Sequence, residues 1–60
     1  MGEKLSKFYE KANEIGGMKA RMRLAILTNI SSVKAAQEPD SEENVKKFEA
    51  AIVEISKENQ

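Results

Sequence analysis

The chain has 60 residues, 40% of them apolar, with ten basic and ten acidic side chains and therefore no formal net charge. It contains neither Cys nor His, which excludes disulfides, thiolate zinc sites, iron–sulfur clusters and every catalytic set built on imidazole. A chain this short makes one domain, residues 1–60, and buries only about 60% of its unfolded surface, so oligomerisation is the stabilising device that this composition leaves open.

The opening Met-Gly-Glu-Lys-Leu-Ser-Lys holds no apolar run, so a secretory signal is not expected, and Gly2 followed by Ser6 matches a myristoylation pattern only weakly. No unbroken apolar stretch is longer than four residues, as in Leu24–Leu27, far short of the ~20 residues of a membrane span. The expected location is the cytoplasm.

The first helix is predicted over residues 3–15, because Leu5, Phe8, Ala12 and Ile15 follow the 3-4-3 spacing of one helical face while Lys4, Lys7, Glu10, Lys11 and Glu14 fill the other. Tyr9 widens the stripe, its ring packed and its hydroxyl in water. Gly16-Gly17 is expected to end this helix, since Gly takes the left-handed conformation that commonly closes one. The competing reading is a single rod through both glycines, with another backbone close by.

The second helix is predicted over residues 18–36. In helical projection Met18, Met22, Ala25, Ile26, Ile30, Val33 and Ala36 share one broad face, with Met18 and Met22 expected to fill core. Ala20, Leu24, Leu27 and Ala35 lie nearly opposite, with Ser31 among them. A helix apolar on two sides needs more partners than a hairpin supplies. The small-residue face is therefore the expected self-interface: Ala20, Leu24, Leu27 and Ser31, rimmed by Arg21 and Arg23. Asn29 falls inside the broad face and is either a point where the helix bends or ends, or a buried polar residue paired with its symmetry mate to fix register. Thr28-Asn29-Ile30-Ser31-Ser32 is weak helix material, and a kink or stop there is the main alternative.

Pro39 interrupts the helical pattern and restrains Glu38 to extended angles. Asp40 then reads as an N-cap, with Glu43 completing a variant capping box. The third helix is predicted over residues 41–57, with Val45, Phe48, Ile52 and Ile55 at 3-4-3 spacing and Val53 off the seam.

Charge is unevenly spread. Residues 16–37 hold Lys19, Arg21, Arg23 and Lys34 and no acid, whereas residues 38–60 hold seven acids and three bases. The third helix is expected to pack beside the second with these charges complementary across the rim. An acidic protein partner for Lys19, Arg21 and Arg23 is the sharper alternative.

The expected fold is all-α: three short helices in a bundle completed by homodimerisation. The expected function is a non-enzymatic protein–protein interaction, adaptor or assembly module, with no cofactor, no metal and no membrane association. The alternative is a nucleic-acid-associated regulator acting through Lys19, Arg21, Arg23 and Lys34. It is disfavoured because the chain has no basic excess and no aromatic platform beside those bases.

Overall fold

The computed structural model describes residues 3–58, and every element among them is helical. Helix α1 covers Glu3–Thr28, α2 covers Ser32–Gln37 and α3 covers Glu42–Glu58. Helix α1 is not a rod. As a straight helix its 26 residues would extend about 39 Å, yet the longest dimension of the molecule is 31 Å. The chain breaks at Gly16 (φ −151°, ψ 19°) and Gly17 (φ 67°, ψ −146°). Gly17 occupies a region of backbone space that side-chain-bearing residues avoid. A Cβ placed on it would meet nothing within 4 Å, so its backbone conformation rather than crowding calls for glycine there.

Specific contacts set the topology. The Asp40 carboxylate accepts from the N–H groups of Lys4 (3.3 Å) and Leu5 (3.4 Å), and the rings of Phe8 and Phe48 lie 5.6 Å apart. Residues 3–15 and α3 thus run in the same direction. Tyr9 donates its hydroxyl proton to the Ile30 carbonyl, and Arg23 meets Glu58, so residues 18–28 run back between them. The result is an up-down-up three-helix bundle, with α2 bridging from residues 18–28 to α3.

The core is small. Phe48 is fully buried, in contact with the Phe8 ring and in an edge-type arrangement with the Tyr9 ring at 6.0 Å between centroids. Leu5, Leu24, Ile30 and Ile55 are its other large aliphatic members, and Ala12, Ala20 and Ala51 give one buried alanine from each long segment. Small residues at these positions let the helices approach closely.

The structure corrects the predicted second helix, which stops at Thr28 and does not continue to residue 36. The Thr28 hydroxyl donates back to the Leu24 carbonyl (2.7 Å) and accepts from the Ile30 N–H (3.2 Å), diverting that N–H from the helical ladder. Asn29 follows at φ 60°, and its N–H bonds the Ala25 carbonyl (2.9 Å), the single closing bond of a left-handed C-terminal cap. Ser31 then caps α2 by accepting from the Lys34 N–H (3.3 Å). Glu38 ends α2 in the extended conformation that Pro39 requires.

The cap of α3 is also corrected. Ser41, not Asp40, accepts from the Asn44 N–H (3.2 Å), and the Ser41 carbonyl accepts the first helical bond, from the Val45 N–H (2.9 Å). Asp40 instead serves the start of α1, placing negative charge where orphan donors and the helix dipole favour it.

Candidate functional site

The residues expected at a self-interface separate in the structure. Ala20 is 4% exposed and Leu24 fully buried, so the predicted small-residue face is the core side of the helix. Leu27 is exposed, and Ser31 is exposed as the α2 cap. Arg23 is held by Glu58 in a two-point pair, Nε to Oε1 at 3.1 Å and Nη2 to Oε2 at 2.6 Å. Hydrogen bonding to Arg23 holds the Glu58 carboxyl below its ordinary pKa, and the same bond raises that of Arg23. This is the rim complementarity that the charge layout suggests. Arg21 is exposed. Asn29 is also exposed and ends its helix, so within one chain it is not a buried polar residue.

The other face of residues 18–28 carries what the core leaves out. Met18 and Ile26 are each 67% exposed and Met22 59%. Their spacing of four places them in line on one side of the helix. Val33 of α2 is exposed too. Met18 and Met22, expected in the core, are thus surface residues. The reason is geometric: with Ala20, Leu24 and Thr28 turned inward, the larger side chains half a turn away face solvent.

Beside this line runs a shallow groove of about 230 Å³, lined by Tyr9, Met18, Arg21, Met22, Ala25 and the Ser31–Ser32 backbone corner. Tyr9 as a residue is 7% exposed, and its hydroxyl, expected in water, donates to the Ile30 carbonyl; burial raises its pKa more than the nearby Thr28 hydroxyl lowers it. Arg21 stands between this groove and a neighbouring one lined by Glu10, Asn13 and Glu14. On the far side of the apolar line, Lys19 lies with Arg23 and Glu58 in a third groove.

The four bases of residues 16–37 therefore do not form one patch. Arg23 is engaged, Arg21 and Lys19 flank the apolar line on opposite sides, and Lys34 lies on α2. Among the described residues no ion pair holds Lys19, Arg21 or Lys34, and no cluster of three acidic side chains could hold a metal ion. None of the described helices is long and apolar enough to cross a membrane. Comparison with protein-family models, curated proteins and solved structures finds no match.

The projected broad face holds the exposed Met18, Met22 and Ile26, but it also holds Ile30, which is buried beyond the end of the helix. What the projection lacked was the choice of which face turns inward.

Proposed function

We propose that this chain is a non-enzymatic helical interaction module whose contact surface is the line Met18, Met22 and Ile26 with the groove beside it. The observation that carries the reading is the exposure of three large apolar side chains in register on one helix of a very small domain. Scattered exposed apolar residues are ordinary, but a contiguous apolar strip rimmed by polar groups marks a contact surface. Met suits such a surface because its unbranched, polarizable side chain adapts to different partners.

Homodimerisation is one form of this reading. A two-fold pair would cover the strip with its own copy and add buried area to a core that is small for a lone domain. Sedimentation equilibrium from micromolar to millimolar concentration, with Met22→Lys beside the wild type, tests it. A 6.7 kDa species throughout assigns the face to a different protein. Association abolished by Met22→Lys assigns it to a second copy. Association that ignores the substitution removes the face from the assembly.

A further inference from the structure

Resting on the reading above, we propose that the occupant of this face is an acidic amphipathic helix of a different protein. The charge layout around the strip carries the inference. At about 100° per residue, Met22 and Ile26 point away from the buried side made by Ala20, Leu24 and Thr28. Lys19 borders the strip on one flank and Arg21 on the other, with Lys34 beyond Val33, and residues 16–37 contain no acid. Glu58 is committed to Arg23. Glu10 and Glu14 share a groove with Arg21 but form no ion pair with it among the described residues. The strip is thus an apolar line between two cations that form no ion pair among the described residues.

A second copy fits this less well. A two-fold interface sets a patch against itself, so Arg21 and Lys19 would approach the same cations of the partner, and like charges brought together oppose association. A helix with carboxylates on both flanks of an apolar seam meets both cations with opposite charge. The groove between Met18, Met22, Ala25 and the start of α2 offers a recess beside the strip for one large apolar side chain, the arrangement by which amphipathic helices dock through anchors about one turn apart. An anionic lipid surface would match the charge. However, membrane-surface helices insert Trp, Phe or Leu, and the aromatic beside this strip, Tyr9, is buried beneath it.

The test uses three designed helical peptides that share one Leu seam and differ only in their flanking residues: Glu, Lys or Gln. Each is titrated into the full chain while the Met18 and Met22 methyl signals are followed by NMR. The Glu peptide is expected to bind at least about tenfold more tightly than the Lys peptide, with a margin that narrows as salt rises. Arg21→Glu, at an exposed position where far-UV circular dichroism is expected to stay unchanged, should reverse the order. Equal affinity for the Glu and Lys peptides overturns the proposal. So does methyl response to phosphatidylglycerol vesicles with none to any peptide, which assigns the face to lipid. Self-association through the strip that no peptide displaces assigns it to a second copy and leaves the interaction-module reading standing. Methyl signals indifferent to peptides, vesicles and the protein's own concentration overturn both.

Discussion

Helix α3 and residues 18–28 have similar apolar content and opposite outcomes. In α3 the large apolar residues turn inward: Phe48 and Ile55 are buried, Val45 and Ile52 pack against them, and Val53 alone points out. In residues 18–28 the side with the larger total, Met18, Met22 and Ile26, faces solvent, while Ala20, Leu24 and Thr28 face the core. The difference shows that in a bundle this narrow the inward face is chosen by fit rather than by summed hydrophobicity. The middle segment packs against two helices at once. A buried alanine from each segment, Ala12, Ala20 and Ala51, suits the close approach that this requires, and Met or Ile there would overpack it.

The comparison predicts its own largest break. Leu24→Ala should cost about 2–5 kcal/mol, because it empties a fully buried position that close-packed neighbours cannot refill. Ile26→Ala, two residues on, should change stability by no more than about 0.5 kcal/mol. Urea denaturation monitored by circular dichroism gives both values. For so small a domain the first change is a large fraction of total stability. Equal costs at the two positions would mean that the inward face has been assigned to the wrong side.

Backbone punctuation comes next. Gly17→Ala is expected to cost about 1–3 kcal/mol from conformational strain alone, since the site has open space but a glycine-only backbone angle. Thermal melts of the variant, with Lys11→Ala as an exposed mid-helix reference, separate strain from generic change. Asn29→Leu should cost about 1 kcal/mol for the related reason that Asn tolerates the left-handed region and Leu does not. A stabilised Asn29→Leu would instead restore the buried-polar reading of that residue.

These punctuation marks also decide how far the fold was legible. Residues 3–15 and α3 each carry a single 3-4-3 seam, so periodicity located them, and α3 begins and ends one residue later than predicted. Residues 18–36 failed because projection assumed one axis through Asn29. Past that point α2 runs on a new axis, so Ala35 and Ser31 had no true phase relation to Ala20 and Leu24. The local signals were present: Thr28 and Asn29 are poor helix interiors, and Ser31 is a strong N-cap residue. Asp40 and Ser41 illustrate a limit of a different kind. Both are cap formers in sequence. Only the arrival of the α1 N-terminus beside Asp40, a contact between residues far apart in the chain, leaves Ser41 to cap α3. The exposed strip was half legible: Met18, Met22 and Ile26 fall on one projected face, but their exposure depends on packing that periodicity does not encode.

Tyr9 joins the two regions, and its contribution is smaller. Tyr9→Phe keeps the ring against Phe48 but removes the donor to the Ile30 carbonyl, at an expected cost of about 1 kcal/mol. Because burial raises the phenol pKa in the folded chain, the associated stability is complete below the ordinary tyrosine value of about 10 and is lost as pH rises through the folded value. Wild type should therefore lose its advantage over Tyr9→Phe in alkaline solution, whereas the lysines titrate in both. A stability difference independent of pH to well above 10 would place the hydroxyl in water.

The smallest effect is expected where the two regions meet at the surface. Arg23 and Glu58 form a two-point pair, one instance of the rim complementarity expected between the second and third helices, but each side chain is about 39% exposed. Exposed pairs contribute little after side-chain ordering and screening, and Glu58 sits at a helix C-terminus, where the dipole opposes its charge. Arg23 lowers the Glu58 pKa, so this contribution is present above the ordinary glutamate value and fades as pH falls through the folded one. Glu58→Gln should shift the melting temperature least among these variants, and the shift should vanish in about 1 M salt, where the Debye length is ~3 Å. A shift as large as that of Leu24→Ala, or one that survives high salt, would mean that this contact orders α3 against residues 18–28 and that fit in the core alone does not choose the inward face.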